Sequence, residues 1–253
     1  MSHEKLQARR AELQEREIAE YKKCPDCYRQ RVVGTERSLK FDAVADCTST
    51  FRAGRQDDGG KWLCNPDQIS KGTVVYGFGV AGDYSFDKDM AELFGAEVHM
   101  FDPGPDVEKA FADFKKPRTF GEGTVTYHPI GLGPVSSDPA HAWDLVIGEK
   151  KCEVKSLADL AKTLGHTHVD ILKIDIEGGE FSSLRQMLDT DTLRSLGVRQ
   201  LLVEFHFVPD QHFADFVGLL DSLNQQGFKL FRKELNPFGP TNAAEYAFVL
   251  TRQ

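Results

Sequence analysis

From residue 73 onward, short apolar runs alternate with amphipathic stretches, and no other feature of the chain restricts its fold as much. The runs cover 73–78, 97–101, 124–130, 169–176 and 200–207, and helical patterns accompany them at 86–94, 106–114, 156–164, 180–188 and 211–226. This alternation points to a parallel sheet flanked by helices. Asp170-Ile171-Leu172-Lys173-Ile174 carries little polar alternation, as a strand covered on both faces requires. The last two runs, 228–233 and 245–251, have only a Pro/Gly/Asn loop at 236–242 between them, so they should pair as an antiparallel hairpin at the sheet end. The expected fold is α/β, with a seven-stranded, mostly parallel sheet closed by an antiparallel hairpin.

A chain of 253 residues, 40% of them hydrophobic, has room for one catalytic domain and a short accessory segment. The domain is expected at 71–253, behind an N-terminal helix and irregular cap at 1–70. The helix pattern at 3–23 is rich in charge, and Leu6, Leu13 and Tyr21 form a loose stripe. It reads either as a solvated helix or as an arm through which a homodimer could form. The net charge of −8 opposes binding to a phosphate backbone, so no nucleic-acid partner is expected. No apolar run reaches the roughly 20 residues that cross a bilayer, and the N-terminus is charged where a signal peptide is apolar. The expectation is a cytoplasmic protein with no membrane partner. In such a compartment the five cysteines argue against a disulfide framework. Cys24-Pro-Asp-Cys27 leaves two readings open: free thiols, or half of a zinc site completed by Cys47 or Cys64.

The first run ends in Gly77-Phe78-Gly79-Val80-Ala81-Gly82-Asp83, and a helical pattern follows. Glycines let the chain turn sharply and let a ligand approach the backbone, and ligands of open parallel sheets bind beyond the carboxyl ends of the strands. Asp102, followed by Pro103, closes the second run, where a carboxylate can accept the hydroxyls of a ribose. An adenosine-containing ligand fits both features. Gly77, Gly79 and Gly82 also meet the spacing of a dinucleotide turn, so a nicotinamide-dependent oxidoreductase is the main alternative. Asp83 would repel a pyrophosphate and would suit the amino-acid end or sulfonium of S-adenosylmethionine. The terminal antiparallel pair leans the same way, towards methyl transfer.

Two further strand ends carry charge. In Lys173-Ile174-Asp175-Ile176-Glu177-Gly178-Gly179-Glu180, alternate residues share a face, so Lys173, Asp175 and Glu177 project together. A lysine in a buried strand needs a partner, and Asp175 or Glu204 is the natural one. Glu204 and His206 share a face at the next strand end, where an imidazole could serve as a general base. Asp175, Glu204 and His206 could alternatively hold a divalent ion. The loops at 131–143 and 236–242 are candidate lids.

On these phrases the chain resembles the FkbM-type methyltransferases and the related methyltransferase-like domain group of eukaryotes. Lys173 to Glu180 looks like the K-I-D-x-E-G-x-E signature, and Leu202-Val203-Glu204-Phe205-His206 follows it. Tyr76 to Asp87 is similar to the related group's nucleotide turn, and Val98-His99-Met100-Phe101-Asp102-Pro103 to its second strand. The likeness spans about 60–253. It implies a Rossmann-like class I methyltransferase sandwich that uses S-adenosylmethionine, commonly on a hydroxyl. Gly77 stands where many such enzymes carry an acidic residue, with Asp83 as a substitute, so a non-catalytic S-adenosylmethionine-binding protein is a further alternative. The expected site has Gly77, Phe78, Gly79, Gly82, Asp83, Asp102 and Pro103 at the cofactor. Asp175, His206, Glu204 and Lys173 would serve catalysis on a small-molecule or sugar-like acceptor.

Overall fold

The computed structural model describes residues 45, 47–56, 58–134, 145–207, 211–236 and 243–251. The expected helix at 3–23, the Cys24/Cys27 pair and most of both candidate lids fall outside the described residues.

An eight-stranded sheet forms the centre. Its strands are β3 (Val74–Phe78), β4 (Glu97–Phe101), β5 (Arg118–Phe120), β6 (Gly123–His128), β11 (Ile171–Ile174), β12 (Gln200–His206), β13 (Phe228–Leu235) and β14 (Ala243–Leu250). The order across it is β13-β14-β12-β11-β3-β4-β6-β5. β12, β11, β3, β4 and β6 run parallel, and β14 enters antiparallel between β12 and β13. The seven expected strands are present in an α/β arrangement. The eighth, β5, pairs antiparallel with β6 through the turn Phe120-Gly121-Glu122-Gly123, and a three-residue edge strand leaves almost no periodicity to read.

The helices are α1 (Ser85–Phe94), α2 (Pro105–Ala110), α3 (Leu157–Leu164), α4 (Glu180–Asp189), α5 (Thr192–Ser195) and α6 (Gln211–Gln225). α3 shows why these segments become helices. The Ser156 side chain accepts from Asp159 N at its start, and Gly165 ends it at φ 75°, a left-handed conformation that costs glycine little. Leu157, Leu160 and Ala161 lie on its buried face, and burying each leucine contributes about 2 kcal/mol. The helix expected at 106–114 is shorter than its pattern, with α2 stopping at Ala110 and a 3₁₀ turn following at Ala112–Lys115.

α3, α4 and α6 contribute to the core on one sheet face, with Phe205, Phe216 and Tyr246 among its largest side chains. α1 covers the other face, together with a hairpin of β1 (Thr50–Ala53) and β2 (Lys61–Cys64). The hairpin is keyed to the sheet by Gln200, which accepts from Cys64 N and donates to Cys64 O, each at 2.9 Å. The remaining strands are short: β7 (Gly131–Leu132) pairs with β10 (Val154–Lys155), and β8 (Leu145–Ile147) with β9 (Lys150–Cys152).

The cysteine expectation needs correcting. Cys47 and Cys64 form a disulfide across the open end of the β1–β2 hairpin, with Cα atoms 5.4 Å apart. Sequence spacing could not show that the hairpin brings these two side chains together. Neither is then a free thiol able to complete a zinc site with Cys24 and Cys27. Cys152 is a buried free cysteine.

Candidate active site

Beyond β3 the chain turns through Gly77 to Gly82, with Gly79 at φ 78° and Ala81, a non-glycine, at φ 49°. Gly79 is required by the protein's own packing, since a β-carbon on it would lie 1.5 Å from the backbone oxygen of Asp175, while one on Gly77 would meet the end of a side chain, Asp87 Oδ1, at 2.6 Å. Gly82 faces open space. Lys173 donates to Gly79 O at 2.8 Å, tying β11 to the turn.

Asp102 sits at the end of β4 and organises the same turn. Its Oδ2 accepts from Val80 N at 3.1 Å and Ala81 N at 2.9 Å, and its Oδ1 from Gly104 N at 2.8 Å. A carboxylate offers about four acceptor directions, so roughly one is left for a ligand hydroxyl. With that direction and the open flank at Gly82, the residues at the turn fit an adenosine-containing cofactor. Pro103 follows Asp102, with its carbonyl engaged by the Cys152 thiol. Phe78 is fully buried and stacks on Phe101, beneath the turn and inside the core. The Asp83 carboxylate accepts from Ser85 N and Ser85 Oγ, each at 3.0 Å, in a turn just ahead of α1, whose N-cap is Tyr84.

The catalytic candidates lie beside the turn in a buried ionic patch. β12 and β14 place Glu204 directly opposite Glu245, a like-charge pair that destabilises a sheet unless something intervenes. Lys61 intervenes, reaching down from β2. Its Nζ bonds to Glu245, lies 3.3 Å from Asp175 Oδ2 and 3.8 Å from Glu204 Oε2, and its side chain is 2% exposed. Lys173 Nζ is 3.9 Å from Asp175 Oδ2. Asp87 adds to the patch; its Oδ1 is buried with no hydrogen-bond partner among the described residues.

Asp58 lies against Glu204 and Glu245 as well, so two lysines and five carboxyls share this space, and the protons follow from that count. Burial disfavours charge on Lys61, but Glu245, Asp175 and Glu204 outweigh it and hold the ammonium above its ordinary value. Burial would also raise Asp175, yet Lys61, Lys173 and His206 keep it below the usual range. Glu204 is pushed up to about 8 by burial and then by Glu245 and Asp175. Burial pushes Asp87 up to about 6 against the pull of Lys173.

His206 ends β12 with Nδ1 3.0 Å from Glu180 Oε1 and Nε2 3.5 Å from Glu177 Oε2. Burial works against its charge, but the hydrogen bond and the charge of Glu180 raise it to about 9, helped by Glu177 and Glu204. An imidazole protonated at neutral pH is a poor base, which sets this geometry against the role expected for it. Glu180 in turn accepts from Ile176 N and Gly178 N, holding the bend at which Glu177 adopts φ 56°. Left-handed backbone in a non-glycine residue is a recurrent mark of functional sites.

Asp175, Glu204 and His206 each bring one ligand atom within 4.8 Å of the others. Lys61 lies among these carboxylates and His206 Nδ1 is taken up by Glu180, so the trio does not suit a divalent ion. Lys61, Glu245 and Asp87 are the site residues that sequence reasoning missed. Lys61 stands in an unremarkable Lys-Trp-Leu-Cys phrase, and Glu245 becomes visible only once the β12–β14 register is known. The nearest signal was the buried lysine on β11, which already implied an ionic cluster.

A family model described as a methyltransferase domain matches residues 21–250. Among curated proteins, the chain is 26% identical over 171 residues to the probable methyltransferase-like protein 24 of Homo sapiens, covering 62% of this chain and 41% of that protein. The Rattus norvegicus counterpart gives 25% over 172 residues, with 62% and 42% covered. The chain thus spans about two-fifths of the length of the curated relatives it matches. Among solved structures, it is similar to a magnesium protoporphyrin IX methyltransferase from Synechocystis PCC 6803 with bound SAM, at TM-score 0.42 and 18% identity over 72% of this chain and 71% of that one. It is also similar to the Methanococcus jannaschii fibrillarin pre-rRNA processing protein, at TM-score 0.46 and 11% identity over 73% and 69%. Likenesses this distant say nothing about what this chain acts on.

Proposed function

The chain belongs to the methyltransferase-domain family, and on that premise we propose that it moves a methyl group from S-adenosylmethionine to a hydroxyl or amine of a small-molecule or sugar-like acceptor. S-adenosylmethionine is the cofactor, and when bound it supplies a methyl group on a positively charged sulfur. The observation that carries the acceptor side is the ionic patch beside the glycine turn, where five carboxyls meet two lysines and Glu204 is raised to about 8. Glu204 holds its own proton up to about pH 8, so it becomes able to accept one from a hydroxyl or ammonium as pH rises through that value.

In this reading Asp102 accepts a ribose hydroxyl and the turn from Gly77 to Gly82 carries the cofactor. Asp175, kept ionised and with its side chain 19% exposed, orients the acceptor. The acceptor proton passes through Asp175 to Glu204, while Lys61 and Lys173 hold both groups in place. His206, as an imidazolium, fixes the strand end through Glu180 and Glu177. The excess of carboxylates favours a neutral or cationic acceptor over an anionic one. The FkbM-like phrase at Lys173 to Glu180 supports a hydroxyl acceptor within the same reading.

The test is incubation of the full chain with S-adenosylmethionine and a panel of hydroxyl- and amine-bearing acceptors, following S-adenosylhomocysteine release and product mass. At least one acceptor should gain one methyl. Tight NAD binding with no response to S-adenosylmethionine would overturn the reading.

The absence of membrane and nucleic-acid partners, and a homodimer formed through 3–23, remain proposals. So does the cytoplasmic location, against which the Cys47–Cys64 disulfide weighs, because such bonds persist in oxidising compartments. Among the described residues no helix is long and apolar enough to cross a membrane.

A further inference from the structure

The face of the sheet under α3 carries a second cluster of titratable side chains, on which the proposed methyl transfer does not draw. Register places Tyr76 on β3 beside His99 on β4, and Glu97 lies on the same face two residues earlier. His166 follows the left-handed Gly165 that ends α3, so the helix terminus delivers its ring to that face. His99 Nε2 is 3.2 Å from Glu97 Oε1 and His166 Nε2 is 3.5 Å from the same oxygen. One ligand atom from each of the three lies within 4.8 Å of the others.

We propose that Glu97, His99 and His166 bind a single divalent transition-metal ion of the zinc class. The spacing is the first argument. Ligand atoms about 2.0–2.1 Å from a tetrahedral centre stand about 3.3–3.4 Å from one another, and the two separations at Glu97 bracket that value. Without an ion, His99 Nε2 hydrogen-bonds to Glu97 Oε1 and His166 Nε2 lies against the same oxygen, so a metal would take the place of these contacts.

The second argument is what holds the rings from behind. His166 Nδ1 is 2.7 Å from the Tyr76 hydroxyl, and His99 Nδ1 is 2.9 Å from His128 Nε2. Metal-binding histidines have their far nitrogen engaged in this way, which fixes the tautomer and the ring orientation. Among the described residues no lysine or arginine pairs with Glu97, unlike the Asp175–Glu204–His206 trio with Lys61 in its midst. Glu97 is exposed, which gives an ion a way in and leaves a fourth position to water. Along β4, Glu97 stands about 16 Å and His99 about 10 Å before Asp102, and Tyr76 directly precedes Gly77. An ion there would fasten the end of α3 to the sheet beneath the glycine turn.

The full chain, stripped with a chelator, should be titrated with Zn²⁺ by calorimetry and with Co²⁺ by visible absorption. One Zn²⁺ should bind per chain, and the Co²⁺ spectrum should show d–d bands without a thiolate charge-transfer band. Glu97→Gln and His166→Gln should each weaken binding more than 10-fold with unchanged circular dichroism, and Tyr76→Phe by about 10–100-fold. Glu97 is exposed, so its variant tests the site without threatening the core. Absence of stoichiometric Zn²⁺, equal affinity in the Glu97 and His166 variants, or a charge-transfer band assigning the ion to cysteines would each overturn the proposal.

Discussion

Glu204 and His206 exchange the properties their residue types suggest. The carboxyl carries a proton into the neutral range because burial disfavours its charge and Glu245 and Asp175 repel it, and the imidazole holds one because Glu180 and Glu177 offset its burial. If Glu204 receives the acceptor proton, methyl transfer should rise with pH through about 8, and Glu204→Gln should abolish that rise while leaving S-adenosylmethionine affinity unchanged. A rate that stays flat over this range in the native protein would exclude Glu204 as the base. Lys61 is the residue on which the patch depends structurally. Lys61→Met leaves Glu204 and Glu245 face to face with no cation between them, so urea unfolding should show a loss of about 3–5 kcal/mol. Asp102→Asn keeps the shape but loses a charged acceptor shared by three backbone amides, and it should weaken S-adenosylmethionine binding in a calorimetric titration more than it slows turnover of bound cofactor.

The β1–β2 hairpin is the element that turns a bare sheet face into a site, since β2 supplies Lys61 and Cys64 pins the hairpin through Gln200 and Cys47. The disulfide closes a loop with a sequence separation of 17. Closing a loop of that size contributes about 3 kcal/mol through the unfolded chain, so Cys47→Ser should lower the denaturant midpoint by a corresponding amount. Thiol titration of protein isolated under alkylating conditions gives the redox state in the cell: two protected thiols place it in an oxidising compartment, and none supports the cytoplasm. The hairpin's position also explains why its role was illegible. Residues 50–64 contain Gly54, Gly59, Gly60 and a polar cluster, which read as irregular chain because the strands have only four residues each.

Across the whole molecule the raised groups couple stability to pH. Glu204, at about 8 in the folded state, and His206, at about 9, bind protons more tightly folded than unfolded. Their contribution is complete below their unfolded values and is lost as pH rises through the folded ones. His128, lowered to about 4, acts in the opposite direction, but its effect is complete by neutrality. Unfolding free energy should therefore fall between about pH 7 and pH 9, and the fall should be smaller in Glu204→Gln.

The alternation of apolar runs was enough to establish the α/β class, the five parallel strands and the antiparallel closing pair, because strand and helix periods are local properties of the chain. The glycine turn, Asp102 and the charged phrase at Lys173 to Glu180 were legible for the same reason: each is a strand end followed by a turn. Tertiary structure decided which side chains meet. It set Glu204 against Glu245, dropped Lys61 between them, bound Cys47 to Cys64, committed Asp83 to the start of α1 and gathered Glu97, His99 and His166 from segments about 70 residues apart in the chain. Charge state, unlike secondary structure, depends on neighbours distant in sequence, and only the packed fold specifies them.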